Sequence, residues 1–222
     1  MDWPALLLSL KLSAWTAALL LPLSLLVARQ LAWRDFPGRP WAEALVALPL
    51  VLPPTVLGYY LLTIFGGATS IGHAYQTLVG RPLAFTFEGL LLASVIFNIP
   101  FSVQPMQQAF KSIPEDVREA AWCSGMSRWR TFRAVELPLA WPGIVSALAL
   151  TFAHTMGEFG VVLMIGGNIP GETKTIAIAI YDRVQAFDER NAGIMSAVLL
   201  VFSLVAIATV YVYSARIGRK RG

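Results

Sequence analysis

Glu119-Ala120-Ala121, then three residues, Gly125, then nine residues, Val135-Glu136-Leu137-Pro138: this spacing lies in a charged segment, 111–137, set between two long apolar runs. Small and acidic residues followed by glycine between two apolar runs predict a short helix, a turn and a second helix outside a bilayer. Ser112-Ile113-Pro114-Glu115 has the spacing of a capping box with proline in the first turn. A helix from there places Val117, Ala120, Ala121 and Ser124 on one face, with Trp122 beside it and Asp116 and Arg118 directed elsewhere. Gly125 supplies the left-handed stop. Ser127 is positioned to cap a second helix from Arg128 to Glu136, ending before Pro138. A helix that lies on headgroups needs bulky apolar residues and basic flanks. This one offers alanines with Glu115, Asp116 and Glu119 around them, so it is expected to receive another protein.

The runs on either side set the class. The chain of 222 residues is 56% hydrophobic and 14% charged, with a mean hydropathy of +0.63. A soluble domain carries about 25% charged residues. The apolar residues fall into blocks near 6–28, 42–65, 83–106, 139–163 and 192–213. Each is long enough to cross a core of about 30 Å at about 1.5 Å per residue. The expected fold is an all-α polytopic membrane protein of one domain, 1–222, with five transmembrane helices and the loop 111–138 between spans 3 and 4. The apolar piece 175–181 is too short to span and is read as a short or re-entrant helix. The first run is too long for a signal-peptide core and has no small-residue cleavage site after it.

Charge placement orients the chain. Twelve of its 17 Lys and Arg lie on one side: Arg29, Arg34 and Arg39, the five of the loop, and Arg216, Arg219, Lys220 and Arg221. That side is expected to be cytoplasmic, with the N-terminus outside and the C-terminus inside. The basic tail suits anionic headgroups and calls for no nucleic acid. Cys123 stands alone, without neighbours at metal-ligand spacing, and is read as a small helix-facing residue. No metal site is expected.

Several residues inside the spans bear on function. Glu43 and Glu88 fall near span ends, and Lys11 can reach the interface. Glu158, flanked by Gly157 and Gly160, is placed near the outer end of span 4, where it either snorkels outward or holds a gate. A carboxylate repels an oxyanion, so Glu158 is not read as a substrate ligand. Thr55, Ser94, Asn98, Ser102 and Thr155 are the expected polar lining of a pathway. Pro49, Pro53 and Pro54 in span 2, and Pro100 and Pro105 in span 3, are expected to kink those helices. Secondary transporters usually carry paired intramembrane charges or inverted repeats; Glu158 has no evident buried cationic partner in the sequence, and five spans do not split into equal inverted halves. His73 and His154, far apart in sequence, do not make an enzyme site, and no G-x-x-x-x-G-K-[ST] phosphate loop is present.

The quoted spacing resembles the EAA loop of permease subunits from binding-protein-dependent ABC importers, with Val135 in the place of the usual isoleucine. Asp35-Phe36-Pro37-Gly38, Leu48 to Pro54, Gly157-Glu158-Phe159-Gly160 and Asn168 to Ile176 are similar to the molybdate permease subfamily. Sulfate and tungstate permeases share the Gly-Glu-Phe-Gly stretch. The resemblance implies a permease of the bacterial cytoplasmic membrane that works as a homodimer, with two cytoplasmic ATPase subunits and an extracytoplasmic molybdate-binding protein. ATP and Mg would be used by the ATPase, and no cofactor would be held by this chain. It assigns ATPase coupling to Glu119, Ala120, Ala121, Gly125, Leu137 and Pro138. The pathway and its gate would involve Pro53, Pro54, Gly157, Glu158, Phe159 and Gly160. Asn168, Pro170, Gly171 and Glu172 would meet the binding protein. Transport of tungstate or sulfate, or an ion-coupled secondary transporter, are the alternative expectations.

Overall fold

A computed structural model describes residues 1–219, with the side chains of 210, 211 and 213–219 left aside. The expected anchoring by Arg216, Arg219, Lys220 and Arg221 therefore falls outside the described side chains and residues. Among the described residues the chain is helical throughout, without a strand.

The scaffold is a pair of long helices, α1 (Trp3–Trp33) and α5 (Phe87–Lys111), that run side by side in the same direction. Asp2 opens α1 by accepting from the Ala5 N–H at 3.1 Å. The buried stripe of α1 is rich in small residues (Ala5, Ser9, Ser13, Ser24 and Ala28), and α5 answers with Ala93, Ser94 and Ser102. In a bilayer, burial of apolar surface does not drive helices together, and small residues allow the close approach that dispersion requires. Pro100 and Pro105 are absorbed within one continuous α5 rather than breaking it.

Span 2 is broken instead. Between α2 (Arg39–Val51) and α3 (Pro54–Phe65) the chain bends by 110°. Leu52 and Pro53 between them are extended, as a residue before proline prefers. α2 touches one apolar core through Ala42 and Val46, while Leu52 packs on a second core nearer the opposite end. Among the described residues four helices are long and apolar enough to cross a membrane, or up to five if the bent pair counts as one span. Four to five spans thus stand where five were expected, span 2 being the bent one.

A short α4 (Ser70–Val79) leads back to α5 and leaves His73 exposed. The charged loop follows α5 and holds α6 (Glu115–Cys123). From Arg128 the chain is one helical run to Met156, made of α7 (Arg128–Thr131), a π turn at Phe132–Glu136 and α8 (Leu137–Met156). The expected stop before Pro138 does not occur. Proline inside an α-helix clashes with the carbonyl four residues earlier. Here the turn ahead of it widens, with the Leu137 N–H bonded to the Phe132 carbonyl five residues back.

α9 (Gly160–Gly166) completes span 4 after a break, its end fixed by the Phe85 N–H on the Ile165 carbonyl at 2.8 Å. The short apolar piece forms α10 (Ile176–Gln185), whose Ile176, Ile178 and Ala179 are buried and whose first N–H is held by Ser9 Oγ at 2.8 Å. α11 (Glu189–Arg219) closes the chain, and its most apolar window is only 11% buried, so it presents its sides to lipid or to another protein. Loop 111–138 lies at one end of the bundle, the loop end, opposite the far end.

Candidate functional site

At the loop end, α6 is fixed at both termini but not as the sequence suggested. Ser112 turns back to donate to the Ala109 carbonyl at 2.9 Å, and Pro114 occupies the N-cap without a side-chain bond. The capping box is therefore not formed, because Ser112 still belongs to the last turn of α5. The C-terminus does close as expected. Gly125 sits at φ +78°, its N–H bonds the Trp122 carbonyl at 2.9 Å, and the Met126 N–H reaches the Ala121 carbonyl at 3.1 Å. These two bonds are the Schellman arrangement. Ser127 caps the next helix through the Arg130 N–H.

The expected α6 face divides in two. Ala121 is buried, whereas Val117, Glu119, Ala120 and Ser124 are exposed. Cys123 is exposed too, so it is not the helix-facing residue expected. Arg118, expected to point away, is the inward anchor and is only 8% exposed.

Arg118 Nε lies 3.2 Å from Glu136 Oε1. Arg29 grips the same carboxylate from α1, with Nε 2.6 Å from Oε2 and Nη2 3.1 Å from Oε1. Glu136 is wholly buried, the Arg118 guanidinium stacks 3.7 Å from the Trp33 ring, and Arg29 lies over Phe132 at 5.1 Å. One carboxylate thus ties α1, α6 and the start of α8 together. A buried carboxylate is tolerated only when paired and hydrogen-bonded, and two guanidinium groups supply that here. Leu137 packs into the core beneath it, and Pro138 follows at half burial.

The second constellation lies inside the bundle. Gly157, Glu158 and Phe159 interrupt span 4 between α8 and α9. Glu158 neither snorkels nor reaches the interface: it is buried. Ser94 Oγ donates to its Oε2 at 2.6 Å, and Asn98 Nδ2 donates to its Oε1. Those partners lie about 10 and 16 Å along α5 from its far end, which is mid-span. His154 Nδ1 stands 3.0 Å from Asn98 Oδ1, and its ring stacks on Phe101 at 3.8 Å.

A cleft of about 570 Å³ adjoins this cluster, lined by Pro54, Thr55, His154, Glu158, Phe159 and Gly160 among others. The first turn of α3 seats on Gly160, where an added Cβ would lie 2.9 Å from Pro54 Cβ. The sequence-named gate residues are therefore brought together, with Pro53 one residue outside the cleft. The expected lining is not. Ser94, Asn98, Ser102 and Thr155 are buried between helices, and of the five only Thr55 is exposed.

At the far end, Asn168 donates to Asp182 at 2.9 and 3.0 Å, and Lys174 Nζ lies 2.7 Å from the same carboxylate. Burial raises the Asp182 pKa, but these partners outweigh it and hold the group below its ordinary value. Pro170, Gly171 and Glu172 form the exposed turn above, with Gly171 at φ +82°. Elsewhere, Glu88 pairs with Arg81 at 2.6 Å, Glu43 with Arg39 at 3.3 Å, and Lys11 lies over the Phe87 ring. Among the described residues no cluster of metal-ligating side chains occurs.

Glu136 and Arg118 were missed in the sequence, though a signal exists. Glu136 precedes Ala140 by four residues and Ile144 by eight, on the buried stripe of span 4. The π turn then brings Thr131, five residues earlier, onto that stripe.

Residues 20–221 match the family model described as the binding-protein-dependent transport system inner membrane component. The molybdenum transport system permease protein ModB of Azotobacter vinelandii is 45% identical over 210 residues, covering 95% of this chain and 93% of its own length. ModB of Escherichia coli K12 is 35% identical, covering 99% and 96%. A probable sulfate transport system permease, cysT of Chlorella vulgaris, is also 35% identical, but the match covers 78% of this chain and 65% of that longer protein. Among solved structures, a bacterial alginate ABC transporter in complex with its pentasaccharide-bound periplasmic protein superposes with a TM-score of 0.78 at 18% identity, covering 96% and 78%.

Proposed function

Because the chain belongs to the family of binding-protein-dependent transport system inner membrane components, multi-pass proteins of the bacterial inner membrane, we propose that it is the membrane subunit of an ATP-driven molybdate importer. The observation that carries this reading is α6: a short helix stopped by Gly125, displaying Val117, Glu119 and Ala120, and anchored through Arg118 and Glu136 to two spanning helices. Its loop end faces the cytoplasm, where a separate ATPase uses ATP and Mg. Two copies of the chain present two such helices to two ATPase subunits, as two-fold symmetry requires. The extracytoplasmic binding protein meets the turn at Asn168, Pro170, Gly171 and Glu172.

Closure of the ATPase pair on ATP displaces α6. Glu136 passes that displacement to α1 and α8, since one carboxylate holds both. α8 carries it about 30 Å to the break at Gly157–Phe159. There Glu158, Ser94 and Asn98 couple α8 to α5, and movement of α9 against Pro54 opens or shuts the pathway. Glu158 serves as a hydrogen-bonded hinge pin rather than a ligand. With no Lys or Arg deep in the spans, the pathway holds oxyanions weakly, and selection rests with the binding protein. The relatives named for molybdenum transport and their near full-length match favour molybdate over sulfate.

The test is ATP hydrolysis in proteoliposomes holding this chain and its ATPase. Binding protein loaded with molybdate is expected to stimulate hydrolysis more than protein loaded with sulfate, and the tungstate-loaded protein ranks the two related oxyanions. Equal hydrolysis with and without loaded binding protein would defeat the reading, and a different ranking would rename the substrate.

A further inference from the structure

At the loop end, beside the Glu136 cluster, is a cavity of about 220 Å³ whose lining includes Arg29, Arg34, Arg118, Arg128, Trp33 and Trp122. Four arginines line it, and the adjoining Glu136 carboxylate engages two of them, Arg29 and Arg118. Arg34 and Arg128 are exposed and have no acidic partner among the described residues. The formal balance of four positive charges and one negative is therefore uncompensated. At about 30 Å³ per water the cavity holds roughly seven waters, below the 300–1,000 Å³ of sites for larger ligands. It fits a single small anion group.

Guanidinium forks match the oxygens of a tetrahedral dianion and bind phosphate in bidentate fashion. The two indoles are the amphipathic residues of a membrane–water boundary. Basic pockets between spanning helices on the cytoplasmic side hold anionic lipid headgroups.

We infer that this pocket binds a phosphate group, presented by an anionic lipid headgroup or free in solution, and that the bound group clamps α6 to the end of α1. Arg34 reaches the ligand from α1 and Arg128 from the start of α7, so the anion bridges the two sides of the coupling loop. It completes from outside the junction that Glu136 makes from inside. The inference concerns the chain alone and holds whichever substrate is transported.

Cys123, exposed, the chain's one cysteine and adjacent to Trp122, gives the probe site. The full chain labelled there with an environment-sensitive dye would be titrated in two settings at fixed ionic strength. One is inorganic phosphate added in uncharged detergent. The other is phosphatidylcholine nanodiscs with a rising fraction of phosphatidic acid. A saturable spectral shift is expected, weakened at least tenfold in the Arg34→Gln/Arg128→Gln double variant and unchanged in Lys111→Gln, a cation of the same end outside the pocket. A shift in both settings assigns free phosphate as sufficient; a shift in nanodiscs alone assigns the headgroup. No saturable shift in either, or one that the double variant keeps at full affinity while its melting temperature is unaltered, overturns the proposal.

Discussion

Replacing Glu136 by Gln keeps the side chain's volume and removes the one negative charge between Arg29 and Arg118. Arg118 is almost entirely buried and stacked on Trp33, with only the loop-end cavity beside it, while Arg29 keeps about a quarter of its side chain exposed. Removing one member of a buried ion pair costs about 3–5 kcal/mol, because the remaining charge stays uncompensated. The exposure of Arg29 places this case near the lower end, at about 3 kcal/mol. For a chain of this length that lowers the melting temperature by about 6–12 °C. Local opening of α6 becomes more than about a hundredfold more frequent, since about 1.4 kcal/mol is tenfold. Two assays read the two effects: thermal unfolding of the purified chain in detergent, and limited trypsin digestion followed by identification of the first cut. Cleavage after Arg118, shielded in the wild type, should appear early in Glu136→Gln. An unchanged melting temperature together with an unchanged order of cleavage would refute the view that this carboxylate holds the loop.

Four further outcomes follow from the same geometry. Glu158→Gln keeps the size of the hinge pin and weakens its bonds to Ser94 and Asn98, so uptake should slow while assembly with the ATPase, read by co-purification, persists; wild-type uptake would remove the role. Gly125→Ala meets no atom within 4 Å but must hold φ +78°, a strain of about 1–2 kcal/mol, and should lower ATPase stimulation with only a small change in melting temperature. Gly160→Val forces Pro54 aside and should block uptake, whereas Gly157→Ala, whose added Cβ would find its nearest neighbour at 3.7 Å, should be mild. Finally, Asp182 has its pKa below the ordinary value, so its pairing contributes stability above the unfolded pKa and loses it as pH falls through the folded one. Amide exchange over residues 168–175 should stay slow down through the usual aspartate range, near pH 4, and rise only below it, while Asp182→Asn should raise it at neutral pH.

How much the sequence revealed depended on whether a local rule or a tertiary contact decided the matter. Five apolar blocks and the stop at Gly125 were legible, because hydropathy and left-handed backbone are local properties. The break in span 2 was announced by Pro49, Pro53 and Pro54, yet Pro100 and Pro105 leave α5 whole. The difference lies in Leu52 and Pro53, extended by the consecutive prolines that follow. Glu158 stands out in the sequence as an acid among glycines in an apolar run, but counting along an ideal helix from Pro138 misjudges its depth; α8 ends at Met156 and the carboxylate turns inward to α5. Arg118 and Glu136 were passed over because each looks like an ordinary loop charge until Arg29, 107 residues away from Glu136, is brought beside them. The π turn at Phe132–Glu136 also sets the phase between the loop and span 4, and no periodicity that assumes regular helix predicts it.

The central claim is that movement of α6, driven by an ATPase, carries an oxyanion through this chain. It is tested most directly by uptake of labelled molybdate into proteoliposomes that hold the chain and its ATPase, with loaded binding protein outside and ATP supplied to the ATPase side. Uptake is predicted to need all three components and to vanish in Ala120→Trp, a change on the exposed face of α6, with the melting temperature kept. Uptake that proceeds without the ATPase, or that follows an imposed ion gradient and is indifferent to Ala120→Trp, would contradict the account.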